Sequence, residues 1–503
     1  MTDVPGDLAA PADLAARAAR THVVVIGGGI SGLVAARECA KVGMRVTVLE
    51  ATDAAGGAIR TAELDGIRLD AGAESYATRG GTVRALIDEL GLAERVVTPA
   101  AGGAWLSGVP GGRAAPLPVG GILGIPANVF QDDVRRIIGW SGVWRAYLDR
   151  VRPPLTIGHT HSLGRLVETR MGAKVRDRLV APVTHGVYSA SPDDIDVEVA
   201  APGLNAALTR MGALSGAVAA LKDQAQAAKA PGAAVEGLDG GMSVLVDGLV
   251  ADLVKLGGAV RVGAPVYSIS PRGEGWAVAH ADPEAAADPE AAADADAPQT
   301  VEIEADAVIL ATSESVAREI LAGIAPALAG TEVADAPEIE IVTLLVEAPE
   351  LDAAPRGTGV LTVPGSHVAK ALTHSSAKWS WVREAARGRH VLRVSFGAQG
   401  EHAATAALDD EGAARLALEE ASALLGVPLE PSRLVASHRG RFTQSQPASV
   451  IGSADRRSAA RAAIRAVPRI AAVGAWLAGT GLAQVVPDAI DEADRLRHVL
   501  LWD

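Results

Sequence analysis

Near the start of the chain a run of buried type, His22-Val23-Val24-Val25-Ile26, breaks into Gly27-Gly28-Gly29-Ile30-Ser31-Gly32 and then into a stretch rich in small apolar residues. Strand His22 to Ile26, a turn with Gly27, Gly29 and Gly32 in GxGxxG spacing, a helix over about Ile30 to Val42 and a second strand over Arg45 to Glu50 make a βαβ unit of Rossmann type. In such a turn only glycine lets the backbone come close to a pyrophosphate, which the amides of Ile30 and Ser31 and the positive helix end can hold. Glu50 closes the second strand at the spacing from which a carboxylate accepts hydrogen bonds from a ribose diol. The unit therefore predicts dinucleotide binding, and NAD and FAD share its fingerprint.

The rest of the chain narrows the class. With 503 residues it is too long for one core, so two or three domains are expected, assembled from discontinuous segments. A net charge of -14 argues against nucleic acid as a partner, because phosphate binding relies on clustered Lys and Arg. The single cysteine, Cys39, excludes an internal disulfide and a CxxC metal or redox pair, which fits a reducing cytoplasm. No run of eighteen apolar residues occurs, so no transmembrane segment is expected, and the chain reads as a soluble cytoplasmic protein without a signal peptide.

Asp65-Gly66 between Thr61–Leu64 and Ile67–Asp70 predicts a tight hairpin. From about Pro99 to Gly240 the pattern is Gly/Pro-punctuated loops followed by helices rich in Arg, Ala and Leu, without strand alternation. Residues 1–20 read as a frayed, flexible extension. Residues 281–298 are three copies of an acidic six-residue unit, read as a flexible surface loop. Strands return at 259–262, 266–269, 276–279, 301–304 and 306–310, and longer ones at 339–346 and 390–396 suggest the sheet of a second domain.

Gly56-Gly57, six and seven residues after Glu50, separates the two dinucleotides, because a second glycine turn can approach the diphosphate. At this spacing it resembles the doublet of the flavin amine oxidase and protoporphyrinogen oxidase superfamily. Asp70-Ala71-Gly72-Ala73-Glu74-Ser75-Tyr76 is similar to the family segment that passes the flavin ring, Ala311-Thr312-Ser313 to its strand-end turn, and Gly474 to Val486 to its C-terminal flavin segment. In the middle, Ser162 to Val167, Arg170-Met171-Gly172, Ala181 to Ala190 and Gly240-Gly241-Met242 resemble porphyrinogen oxidases of haem biosynthesis, most of all the Gram-positive coproporphyrinogen III oxidases.

The resemblance implies non-covalent FAD held by Gly27, Gly29, Ile30, Ser31, Gly32, Glu50, Gly56, Gly57, Gly72, Ala73, Glu74, Ser75, Val266, Thr312, Gly474, Gly479, Val485 and Val486. The fold expected is α/β, α+β overall. Residues 21–98, 235–335 and 455–503 make the FAD-binding domain, 99–234 a helical insert with substrate-domain segments, and 336–454 a mixed-sheet substrate domain. It also implies a porphyrinogen substrate, dioxygen as oxidant, six electrons removed in three flavin cycles with peroxide as product, and a haem-pathway enzyme as partner. The cofactor supplies the redox step, so no nucleophile or metal is needed. Arg79 is the candidate cation for a substrate propionate, against a reading as a cap for the helix that starts near Thr82. His185 and Tyr188 read as structural. Two departures stand out: Ala58 occupies the place of a common basic residue, and the C-terminal segment lacks the usual acidic residue and cysteine. Protoporphyrinogen IX remains an alternative substrate. An amine oxidase, without a cysteine-linked flavin because Cys39 is far from the C-terminus, a carotenoid desaturase, and a non-catalytic flavin or tetrapyrrole carrier are the other readings.

Overall fold

The structure, a computed structural model, describes residues 11–152, 161–227, 235–282, 300–333, 336–443 and 449–502, so nearly all of the acidic repeat lies outside the described residues. Strands β1 (His22–Ile26) and β2 (Arg45–Leu49) pair in parallel. Ala259–Arg261 adds beside β2, and Ala307–Leu310 and then Ile470–Ala472 add beside β1, giving a five-stranded, all-parallel sheet.

The uninterrupted apolar run of β1 follows from burial on both faces. Val23 and Val25 enter one core with helix α2 (Ile30–Lys41), helix Ser243–Lys255 and the C-terminal helix Leu482–Trp502. Val24 and Ile26 enter another, completed by a three-stranded antiparallel sheet (Val266–Arg272, Gly275–Ala281, Thr300–Ala305) and helix Ser453–Arg465. In α2 every residue from Ile30 to Ala40 is buried, and its small side chains let neighbouring helices close in.

The second large sheet has seven strands in the order Leu434–Thr443, Glu338–Val346, His390–Phe396, Ala371–His374, Gly359–Thr362, Ala104–Val109 and Arg113–Pro116. All neighbours are antiparallel except Gly359–Thr362 with Ala104–Val109. One face packs Val342, Leu344, Leu392, Val394 and Phe396 on helix Asp410–Leu425. The other meets the hairpin Thr61–Asp70 at Leu345 and Val391, and the helical region 132–227 at Leu106 and Leu361. The α/β class expected from sequence holds.

Two expectations are corrected. Residues Pro11–Arg20 form a helix, α1, whose Leu14 and Ala18 stand one turn apart and pack into the first core, while Arg17 Nη1 donates to Leu501 O at 3.1 Å. Strands Ala104–Val109 and Arg113–Pro116 lie where no strand alternation was read: Gly108 breaks the first at a bulge, and the second is a short edge strand with one buried residue. Among the described residues no single helix is long and apolar enough to cross a membrane.

Candidate active site

All strands of the five-stranded sheet run the same way, so the segments leaving their carboxyl ends meet in one place. They are 27–32 after β1, 50–57 after β2, 311–312 after Leu310 and the turn at Gly474 after Ala472. Contacts confirm that they touch. A Cβ on Gly27, whose φ is +106°, would lie 2.5 Å from Ala311 O, and one on Gly32 would lie 2.0 Å from Gly27 O. Gly56 N donates to Gly28 O at 2.9 Å, and a Cβ on Gly57 would lie 3.1 Å from Gly29 Cα. A Cβ on Gly474 would be 3.7 Å from both Ser31 Oγ and Thr312 O.

The result is a cradle of bare backbone. Its floor is the first turn of α2, where Gly29 caps the helix without any side-chain hydrogen bond, so the first-turn amides of Ile30 and Ser31 are left for an anion. Gly29 itself has open space: an added Cβ would meet only Gly57 Cα, at 3.8 Å. Glu50 stands at the rim, with Oε2 accepting from Gly28 N at 2.7 Å and Oε1 from Thr52 N and Oγ1 at 2.9 and 2.7 Å. Ala264 N donates to Glu50 O at 2.8 Å, which brings the start of the strand at Val266 beside it. Beyond Gly474, Trp476 Nε1 and Gln484 Oε1 are buried and have no partner among the described residues, although Val485 and Val486 next to them are ordinary core side chains. A backbone cradle at a helix N-terminus, a fixed rim carboxylate and two orphaned buried polar atoms are compatible with a flavin dinucleotide, the group expected at Gly27 to Gly32 and Gly56-Gly57.

The 70–76 segment runs between the two large sheets. Gly72 is required there because a Cβ would sit 2.0 Å from Ala58 O, and Ala73 N donates to the same oxygen at 3.1 Å. Asp70 accepts from Met242 N at 2.9 Å, which ties in the Gly240-Gly241-Met242 turn; burial pushes its carboxyl up to about 6 despite the charge of Arg393. Glu74 does not reach toward the cradle. Its carboxylate is held by Lys378 Nζ at 2.5 Å, Arg393 Nη1 at 2.8 Å and Ser375 Oγ at 3.3 Å. Burial would raise that carboxyl, but Arg393 and Lys378 hold it at about 2. Arg393 Nη2 also donates to the carbonyls of Ala71 and Gly72, so one buried guanidinium clamps the whole segment to the seven-stranded sheet. Sequence reasoning missed Arg393. The signal was a single arginine inside the apolar strand His390–Phe396. Ser75 is partly exposed beside this clamp.

Arg79 is exposed and makes no hydrogen bond or ion pair to another described residue, and the helix Thr82–Glu89 is capped by Gly81 instead. Burial raises the Tyr188 phenol, and the charge of Arg79 draws it back. His185, one turn before Tyr188, is held below its ordinary value by burial. Cys39 is buried in the first core, and its thiol is pushed up to about 12.

The family described as flavin containing amine oxidoreductase matches residues 30–496 of the chain. A coproporphyrinogen III oxidase of Mycobacterium tuberculosis (strain H37Rv) is 32% identical over 481 residues, covering 94% of this chain and 95% of that protein. A protein of the same name from Bacillus subtilis (strain 168) is 25% identical over 485 residues, covering 94% and 96%. Among solved structures, an Exiguobacterium sp. 255-15 protein assigned as a protoporphyrinogen oxidase has a TM-score of 0.76 at 22% identity, covering 95% of this chain and 99% of that one, a likeness of fold.

Proposed function

We propose, from the premise that this chain belongs to the family of flavin containing amine oxidoreductases, that it uses FAD to oxidise coproporphyrinogen III to coproporphyrin III in haem biosynthesis. The chain is a flavin-dependent oxidoreductase. One observation carries the choice of substrate: relatives named for this reaction align with 94% of the chain, so the likeness takes in the helical region and the seven-stranded sheet as well as the glycine turns.

The reaction removes six electrons and six hydrogens from the porphyrinogen, and three dioxygen molecules become three of hydrogen peroxide. Bound in this cradle, FAD would supply the hydride acceptor for each two-electron oxidation. The chain's own residues do the rest. The amides of Ile30 and Ser31 and the bare backbone at Gly27, Gly29, Gly32, Gly56 and Gly57 hold the diphosphate, and Glu50 takes the ribose diol with its remaining lone pair. Gly474, Gly479 and Thr312 would line the flavin beyond the diphosphate. The Glu74 cluster fixes the 70–76 segment so that the ring and the substrate keep one relative orientation. Arg79, an exposed cation with no ion pair among the described residues, meets a propionate.

Turnover of the two porphyrinogens by the flavin-loaded protein tests this reading. The expected result is a kcat/KM at least roughly tenfold higher for coproporphyrinogen III than for protoporphyrinogen IX, with three peroxides per porphyrin formed. Faster turnover of protoporphyrinogen IX would replace the substrate.

A further inference from the structure

The face of the seven-stranded sheet that meets the 70–76 segment carries a line of mostly small residues, one per strand. Gly440 lies opposite Ile341, Ile341 opposite Ser395, Ser395 opposite Ala371, and Ala371 opposite Leu361. The two ends of this line are anchored. At one, a Cβ on Gly440 would be 3.7 Å from Ala71 O; at the other, a Cβ on Gly186 would be 2.6 Å from Leu361 Cδ2. From the strand of Gly440 to that of Ala371 is three strand spacings, about 14 Å, a span that suits a tetrapyrrole lying flat with its carboxylates outward.

Lys370 stands at the far end of this line. Its amide donates to Ser395 O at 2.9 Å, and its Nζ donates to Ser189 Oγ at 2.7 Å. The lysine is only 6% exposed, and no carboxylate of the described residues pairs with it. Ser189 is held rigidly: it adopts φ +54°, its amide donates to His185 O at 3.1 Å, and its carbonyl accepts from Gln399 N at 2.8 Å. Gln399 Oε1 beside it is buried without a partner. An ammonium has three donors, and one neutral hydroxyl satisfies one of them. A buried cation without a counter-charge costs several kcal/mol, burial pushes this ammonium down to about 8, and an incoming carboxylate would supply the missing counter-charge.

We propose that Lys370, presented by Ser189, forms a carboxylate-binding subsite at the end of the substrate floor remote from the 70–76 segment and pairs with a propionate of the porphyrinogen. This rests on the porphyrinogen reading above and adds to it a second cation beside Arg79. Coproporphyrinogen III, with a propionate on every pyrrole ring, has one to place here.

The test is equilibrium binding of coproporphyrin III and of its tetramethyl ester, which has the same macrocycle without charge, to the flavin-loaded protein, followed by quenching of tryptophan fluorescence. Lys370→Met is expected to weaken coproporphyrin III on the order of 10- to 100-fold, to leave the ester unchanged, and to raise KM for coproporphyrinogen III more than it lowers kcat. Lys370→Arg restores part of the loss. Equal affinity of the folded Lys370→Met protein and wild type for coproporphyrin III overturns the subsite, as does an equal loss for acid and ester. If Lys370→Met fails to fold, Ser189→Ala decides: a loss of a few-fold confined to the acid supports the subsite, and no such selective loss overturns it. Wild-type protein that neither binds coproporphyrin III nor oxidises any porphyrinogen overturns the function and the subsite together, whereas turnover with an unaltered Lys370→Met affinity overturns the subsite alone.

Discussion

The five-stranded sheet meets the site with backbone, and the seven-stranded sheet meets it with side chains. At the first, Gly27, Gly32, Gly56 and Gly72 bring main chain against main chain at distances where no Cβ fits. At the second, Arg393, Lys378 and Lys370 bring charge into a largely buried interface, the first two sharing the one carboxylate of Glu74 and the third set against a neutral serine. At those glycines an added carbon collides with main chain whatever the pH. A side-chain site tolerates shape changes and fails when its charge balance is upset.

Substitutions can set the two regions against each other. The largest effect is expected from Gly32→Ala, since the new methyl carbon would lie 2.0 Å from Gly27 O: a loss of more than about 4 kcal/mol in urea unfolding. A loss below about 1 kcal/mol would mean that the turn reshapes without cost. Glu74→Gln comes next, at about 3–5 kcal/mol, because it leaves Arg393 and Lys378 buried without their shared carboxylate.

The pH dependence of that second variant follows from the sign of the shift. The Glu74 carboxyl is held at about 2, below its ordinary 4.5, so its contribution is complete above pH 4.5 and is lost as pH falls toward 2. Glu74→Gln should therefore flatten the acid limb of the stability profile. An unchanged limb would show that the cluster is not the acid-sensitive element.

Gly29→Ala isolates binding from folding. The new methyl has open space, so stability should change by no more than about 1 kcal/mol, while flavin affinity, read from absorbance retained after dialysis, falls on the order of 10-fold or more. Full flavin retention would place the diphosphate elsewhere. The smallest effect belongs to an ion pair outside both regions: Glu411→Ala, which removes the exposed partner of Arg415, should stay within about 0.5 kcal/mol.

The backbone half of this comparison was legible in the sequence. A glycine forced by a positive φ or a close carbonyl is marked by its own letter, which is why the turn at Gly27 to Gly32 and the hairpin at Asp65-Gly66, with φ of +47° and +74°, could be read directly. The side-chain half was not. Glu74 was read with the flavin segment because it lies in it, yet its partners are 304 and 319 residues away, and spacing along the chain carries no trace of such a pairing. The helix α1 was missed for a related reason: Ala18 is buried in a core that segments far along the chain, the C-terminal helix among them, complete.

Anaerobic mixing of the flavin-loaded protein with coproporphyrinogen III, followed at the flavin absorbance band, addresses the function in a single step. The band should bleach without oxygen and return when oxygen is admitted, with coproporphyrin III formed. A band that stays oxidised with every porphyrinogen but bleaches with amines would contradict the assignment.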